Sequence, residues 1–458
     1  MELKNKKVVV VGFARTGQAL CDFLLERGVA SITVSDKKPE NQLAKVAEYK
    51  KKGVLFDCGG HQLDLFLSAD LVVLSPGVPP LPEIIEAREK GVRVISEIEL
   101  AYDFLQGRII GITGSNGKST TTTLIYQMLK NSELRVHLTG NIGRPLISFV
   151  RKSRPGDIIV TEISSFQLEF TEKFRTDIAV FLNISPNHLD WHKTFENYIN
   201  AKKKLFEHQQ PGDRTILNRD DRILWSWRRE KRTELYAFSR KHQVPRGCYL
   251  KDSTIWLKLE EELPVIKTSD IKLRGVHNLE NVMAAALASY LAGARLSAIR
   301  QTIKKFRGLE HRMEEVRTIN GVLFVNDSKA TTVAATIKAV GSYPRPIVLI
   351  LGGRDKGGDF SPLRRALKNR VRKILLIGEA REKIKKALAG AFPIEEVSSF
   401  RELVERAYEA AQPGDVVLLA PACTSWDMFR DFEERGRVFK KEVNYLARKL
   451  KARKEKKG

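Results

Sequence analysis

The sequence predicts an α/β protein built of three successive domains. Short apolar runs alternate with amphipathic stretches almost throughout, the pattern of strand–helix units that feed a parallel sheet. Three separate times a strand-like run enters a glycine turn followed by a helix, the geometry that places phosphates or nucleotides at strand ends. At 458 residues the chain also exceeds what one hydrophobic core serves.

The first block, residues 1–96, holds VVVVG, SITVSD, LVVLSPG and VRVIS, four runs resembling strands of one sheet. The second, 97–308, carries IIGITGSNGKST, and the third, 309–458, carries GVLFVNDS, PIVLILGGRDKGG, KILLIGE and DVVLLAPA. Hydrophobic residues at 42% are ample for globular cores. No apolar run approaches the roughly 20 residues of a membrane span, and the start, MELKNKKVVVVGF, enters a glycine turn too soon for a signal peptide. Cys21, Cys58, Cys248 and Cys423 are scattered, so a reduced, cytoplasmic protein is expected. Lys+Arg 79 against Asp+Glu 55 gives a net charge of +24, a field that draws nucleic acid, anionic membranes or polyanionic small substrates. No RNP-like strand, Cys/His finger or zipper heptad accompanies it, and RKLKARKEKKG reads as a solvated helix end. Neither a nucleic-acid partner nor membrane insertion is expected.

Residues 108–123 read RIIGITGSNGKSTTTT: a strand, a loop with Gly111, Gly114 and Gly117, then Lys118 and Ser119 opening a helix. Glycines turn backbone N–H groups toward phosphate oxygens, and the helix N-terminus adds a favourable dipole. Lys118 would reach the β- and γ-phosphates and Ser119 a Mg²⁺ ion. The strict GxxxxGK spacing fails by one place, since position 112 is Ile. Glu162, just after the strand DIIVT, is placed to hold Mg²⁺ opposite such a loop. His188 and His192 stand four apart in SPNHLDWH, but the segment is not HExxH and lacks a third zinc ligand. VVVVGFARTGQAL approximates GxGxxG with Ala14 at the middle position, and Asp36 ends the next strand where a dinucleotide fold puts its ribose acid.

The variant loop TGSNGKST resembles that of the Mur ligases and of folylpolyglutamate synthase, and the resemblance to the Mur ligases runs along nearly the whole chain. It implies an N-terminal Rossmann-like UDP-binding domain, a central P-loop ATPase-like domain and a C-terminal Rossmann-like amino-acid-binding domain. It assigns ATP to Gly114, Ser115, Asn116, Gly117, Lys118, Ser119 and Thr120, to Asn278 and Asn281 in HNLEN, and to Arg312 and Asp327. Glu162, Ser164, Ser165, Phe166, Gln167 and Leu168 match the family's ExSSFQL, which implies Glu162 for metal and Gln167 for the muramoyl substrate. His188 would contribute to a second Mg²⁺ site, with Asp190 beside it. NAKKKLFE resembles the segment whose first lysine, here Lys202, takes up CO₂ as a carbamate; a one-residue shift would select Lys203.

In the first block the resemblance puts Arg15 and Thr16 at the pyrophosphate, Asp36 near uridine, Ser75 and Gly77 in an SPG loop, and Asn141 on the muramoyl substrate. In the third it puts Lys329 near ATP and the acyl-phosphate, and Thr331, Lys356, Ser425 and Phe432 on the incoming amino acid. Lysines and hydroxyls at strand ends suit an acidic amino acid, whose carboxylates want charge-assisted hydrogen bonds. DSKATT, with no DDYAHHP, DYAHTP or DNPR segment, looks like the branch that adds D-glutamate to UDP-N-acetylmuramoyl-L-alanine; Arg354 and Trp426 flank the pocket motifs and leave lysine open as a second amino acid. The resemblance implies a cytoplasmic monomer using ATP and two Mg²⁺, with domains that close at hinges near Ser96 and Gly308. Folylpolyglutamate synthase is disfavoured by the first ninety-odd residues. A nucleic-acid ATPase is disfavoured because VTEIS replaces an apolar run ending in paired acids.

Overall fold

The run KVVVV is apolar at four consecutive positions because both faces of its strand are covered, as in parallel sheets. The computed structural model describes residues 1–230, 233–273, 275–355 and 357–455. They divide into two units, Met1–Phe306 and Arg307–Gly458. The first two sequence blocks thus fall in one unit, which carries two sheets.

The first sheet contains β1 (Lys7–Val11), β2 (Ser31–Asp36), β3 (Leu55–Cys58), β4 (Leu71–Leu74) and β5 (Val94–Ser96). Its order is β3-β2-β1-β4-β5, all parallel, so the direction of winding reverses between β1 and β4. That switch point is where ligands enter open α/β sheets. The second contains β6 (Arg108–Thr113), β7 (Val136–Gly140), β8 (Ile158–Glu162), β9 (Ile178–Phe181) and β10 (Arg214–Asn218). It continues through β11 (Glu234–Ser239), β12 (Gly247–Lys251), β13 (Thr254–Lys258) and β14 (Glu262–Lys267). In the order β14-β13-β12-β11-β10-β9-β6-β8-β7, β6 lies between β9 and β8. The ends of those three strands therefore converge.

The second unit has one sheet of β15 (Glu314–Ile319), β16 (Val322–Asn326), β17 (Ile347–Gly352), β18 (Val371–Ile377), β19 (Ile394–Glu396) and β20 (Val416–Leu419). Its order is β15-β16-β20-β17-β18-β19, with β15 antiparallel to its neighbour. Apolar side chains cover both faces, Leu349, Leu376 and Leu418 on one and Ile350, Leu375 and Leu419 on the other.

Two glutamates just after β5 tie the first sheet to the second within the first unit. Glu99 is buried and accepts backbone N–H bonds from Glu172, Lys173 and Phe174 at 3.0, 2.9 and 2.9 Å. Glu97 accepts from the Ile147 N–H at 2.7 Å, while its Oε2 is buried without a partner. Burial pushes its carboxyl from 4.5 up to about 7, against the pull of the Ile147 and Leu146 amides. Below the ordinary value the folded and unfolded chains are both protonated. Between there and neutrality the unfolded chain ionises first, so stability falls as pH rises, by about 3 kcal/mol at most. Glu97→Gln is expected to match the parent's Tm in acid and to exceed it by a few degrees at mildly alkaline pH. A Tm difference that does not widen with pH would show that Glu97 is not carried as a neutral acid.

Candidate functional site

The phosphate loop forms where β6 ends. Gly117, at φ 84°, caps the helix Lys118–Asn131, and a Cβ on it would lie 2.2 Å from Asn281 Oδ1. Glycine is needed there twice over, for the left-handed turn and for the close approach of Asn281. The helix Val276–Leu291 thereby brings Asn281 against the loop, and Asn281 Nδ2 donates to Asn278 Oδ1 at 3.2 Å. Lys118 Nζ folds back on the loop, donating to the Gly114 and Ser115 carbonyls at 2.8 and 3.3 Å. Ser119 and Thr120 are buried in the first helical turn, whose backbone N–H groups lack intrahelical partners.

Glu162 ends the neighbouring β8, almost fully buried. Its Oε1 accepts from Asn141 Nδ2 at 3.0 Å and its Oε2 has no hydrogen-bond partner. A buried carboxylate oxygen left open beside a phosphate loop fits a divalent cation. Gln167 caps its own helix, Ser165–Glu169: its Oε1 accepts from the Ser164 N–H and hydroxyl, both at 3.0 Å, and its Nε2 is buried without a partner. The free group is thus a donor, suited to a substrate oxygen.

Lys202 and Lys203, which the sequence left as alternatives, face opposite ways. Lys203 pairs with Glu230 at 2.9 Å on the outside. Lys202 is 1% exposed, with Nζ 3.2 Å from Thr113 Oγ1 and 3.1 Å from the Gly114 carbonyl. Burial, and then the neighbouring Lys118 cation, hold its ammonium well below the usual lysine range, with Glu162 pulling the other way. His188 adopts a left-handed φ of 54° with its ring 4.7 Å from Phe166. His192 turns inward, its Nε2 2.9 Å from Ser165 Oγ, so the two histidines do not form a zinc pair. The Asp190 side chain lies outside the described residues.

At the first sheet's switch point, Ser75 Oγ donates to the Gly12 carbonyl at 2.9 Å, next to the turn at Gly77. Arg15 and the half-buried Thr16 open the helix Arg15–Leu25, and the Arg15 guanidinium donates to the Gly143 carbonyl, two residues from Asn141. Asp36 is engaged within the protein: it accepts from the Phe13 N–H at 2.8 Å and the Lys38 N–H at 3.0 Å, holding the glycine turn.

In the second unit, Asp327 follows β16 and accepts from the Met313 N–H at 3.2 Å; burial pushes its carboxyl up to about 6, against Arg312 and Lys329. Arg312 is exposed. Lys329 Nζ lies 5.5 Å from the Phe432 ring centroid, and the Thr331 N–H donates to the Lys329 carbonyl at 2.8 Å. Ser425 is buried and its carbonyl accepts from the Met428 and Phe429 N–H groups. Arg354, which flanks the expected pocket, forms a bidentate pair with Glu379 at 2.8 and 3.0 Å, and Trp426 is 56% exposed. Lys356 lies outside the described residues.

Sequence reasoning missed Arg435. It is buried, and its guanidinium donates to Ser328 Oγ and carbonyl, both at 2.9 Å, and to the Cys423 and Thr424 carbonyls at 3.1 and 3.2 Å. In EERGR nothing distinguishes it from a surface arginine. Asn183 and Tyr198 were missed as well; both touch the phosphate loop.

Three family models match in the same order as the sheets: Mur ligase MurD-like, N-terminal domain over 6–96, Mur ligase middle domain over 112–289, and Mur ligase, glutamate ligase domain over 311–423. The UDP-N-acetylmuramoylalanine--D-glutamate ligase of Thermoanaerobacter pseudethanolicus is 44% identical over 454 residues, covering 98% of this chain and 100% of that one. The chain belongs to the Mur ligase family. The same-named ligase of Acidobacterium capsulatum is 46% identical over 445 residues, 96% of each chain. Solved structures share the Mur ligase fold at low identity. The UDP-N-acetylmuramate-alanine ligase MurC of Thermotoga maritima matches with TM-score 0.54 at 17% identity, over 96% of this chain and 100% of that one. A pseudomurein peptide ligase type C from Methanothermus fervidus matches with TM-score 0.53 at 19% identity, over 96% and 100%. Among the described residues of this Mur ligase, no helix is long and apolar enough to cross a membrane.

Proposed function

We propose that this Mur ligase adds D-glutamate to UDP-N-acetylmuramoyl-L-alanine at the expense of ATP, as a cytoplasmic monomer in peptidoglycan precursor synthesis. The observation that carries the reading is the near-full-length identity to ligases of that name, together with a phosphate loop whose Lys118, Glu162 and Lys202 converge at the ends of β6 and β8. Amide formation from a carboxylate in water is uphill, so the L-alanyl carboxylate first attacks the γ-phosphorus. The bond to the β–γ bridging oxygen breaks, ADP leaves, and an acyl-phosphate remains. The amine of D-glutamate attacks the acyl carbon, loses a proton and expels phosphate.

The chain contributes positioning and charge neutralisation more than covalent chemistry. The amides of the first turn after the loop and Lys118 hold the phosphates, and Asn278, Asn281, Arg312 and Asp327 take the rest of the nucleotide. Arg15, Thr16, Asp36, Ser75 and Gly77 hold the UDP end, with Asn141 and Gln167 on the muramoyl part. Thr331, Lys356, Ser425 and Phe432 hold D-glutamate, with Lys329 at the reacting carboxyl. Mg²⁺, when bound at its two sites, neutralises phosphate charge; Ser119, Glu162 and His188 would hold it, with a carbamate on Lys202 adding an anionic ligand. The burial of Lys202 supports that role, because only a neutral amine adds to CO₂.

The test is phosphate release with Mg-ATP, bicarbonate and UDP-N-acetylmuramoyl-L-alanine, with D-glutamate, L-glutamate, D- and L-lysine and L-alanine supplied separately. Release with D-glutamate alone is expected. Release with lysine redraws the pocket around Arg354 and Trp426, and no release with any amino acid sinks the ligase reading.

A further inference from the structure

Beyond β9 the chain runs on as a strap, residues 182–185, between the phosphate loop and the end of β10, and the Leu182 N–H donates to the carbonyl of Thr113 at the end of β6 at 3.1 Å. Two bonds reach the end of β10 and the turn after it: the Leu182 carbonyl accepts from Asn218 Nδ2 at 2.9 Å and the Ile184 N–H donates to Asp221 Oδ2 at 2.8 Å. Asn183 and Ser185 face the phosphate loop. The Asn183 carbonyl accepts the Ser115 N–H at 2.9 Å, its Oδ1 accepts the Asn116 N–H at 2.9 Å, and its Nδ2 donates to the Asn116 carbonyl at 3.1 Å. The Ser115 hydroxyl accepts from the Ser185 N–H at 2.9 Å, donates to the Ser185 carbonyl at 3.0 Å and meets the Tyr198 hydroxyl at 2.8 Å.

A hydroxyl has one proton and two lone pairs, so these contacts use all that Ser115 has. The Ser115 and Asn116 amides are likewise already engaged, and the first-turn amides of the following helix are left to meet phosphate. Three residues past the strap stands His188, in its left-handed turn against Phe166.

We infer that Asn183 is a positioning residue that couples nucleotide binding to the placement of His188. Its amide pairs with both backbone groups of Asn116 and so ties the loop to the strap that leads into His188. The inference rests on the reading of this loop as the ATP site. Only an amide can do both jobs at that spot. Asn183→Ala loses both side-chain bonds. Asn183→Asp keeps the acceptor for the Asn116 N–H but sets a carboxylate against the Asn116 carbonyl. The backbone bond from Ser115 survives in either variant.

Calorimetric ADP binding, in EDTA and in Mg²⁺, to the full chain and to N183A, N183D, H188A and N183A/H188A tests this. N183A is expected to weaken ADP about tenfold even in EDTA, because binding must then order a loop that those two bonds no longer hold, and N183D more. In Mg²⁺, the loss caused by His188→Ala should shrink severalfold in the N183A background. The melting temperatures of all variants should stay within a few degrees of the parent. Unchanged ADP affinity of N183A in EDTA, or multiplicative effects of the two substitutions, overturns the coupling while leaving the ligase reading intact. A parent chain that binds no ADP in either condition overturns both.

Discussion

Lys202→Arg and Lys202→Met are each expected to cost on the order of 10³-fold in phosphate release under saturating substrates, comparable to losing a principal electrostatic contributor. The two substitutions fail for different reasons. Arginine cannot lose its proton and so cannot take up CO₂, and it would fix a cation within reach of the Gly114 carbonyl, near Lys118. Methionine fills the space and leaves nothing to react. The parent enzyme should lose activity in bicarbonate-depleted buffer and regain it on re-addition, whereas neither variant should respond. Stability separates this from a folding defect. Burial and Lys118 depress the Lys202 ammonium in the folded chain, so its contribution is fully present above the ordinary lysine range and is lost as pH falls below it. In bicarbonate-free buffer Lys202→Met should therefore melt higher than the parent at neutral pH, with the gap closing toward pH 10.5. A Lys202→Met variant within tenfold of parental turnover would remove the lysine from the mechanism.

The second large effect is at Lys118. Its ammonium donates to the Gly114 and Ser115 carbonyls at 2.8 and 3.3 Å, which holds it against the loop. Lys118→Met should lower kcat by about 10²–10³-fold and raise the KM for ATP, with little change in melting temperature because the loop keeps its bonds to Asn183. The substitution should also make Lys202 more basic, since one of the two causes of its depression is gone. That second effect is measurable in bicarbonate-free buffer at neutral pH: Lys202→Met should raise the melting temperature less in the Lys118→Met background than in the parent. Normal ATP affinity in Lys118→Met would refute the phosphate role.

The phosphate loop was legible because its chemistry is local: strand, glycines, lysine and helix are contiguous in TGSNGKST. The burial of Lys202 and not Lys203 was legible too, had the helix Phe195–Glu207 been read for period. Tyr198, Ala201, Leu205 and Phe206 mark its buried stripe, and Lys202 falls on it. Asp36 illustrates the opposite case. Its position at the end of β2 was plain, but its bond to the Phe13 N–H depends on how the glycine turn closes. Contacts made across long stretches of chain were not legible: Asn281 on Gly117, Asn183 on Asn116, and Arg435 beneath the ends of β16 and β20. No spacing rule connects those pairs, because tertiary packing alone brings them together.

The sheet order of the second unit has a consequence for biosynthesis. β20, the last of the six strands of that sheet to be synthesised, sits inside it, paired with β16 on one side and β17 on the other. Until it arrives, β15–β16 and β17–β18–β19 are two half-sheets with open, apolar edges facing a gap, the kind of edge that recruits foreign strands. Arg435, which ties the strand ends together, is translated later still. The nascent chain therefore carries an unfinished sheet until β20 has emerged, and truncation between β16 and β20 would release an aggregation-prone fragment, not a smaller working enzyme.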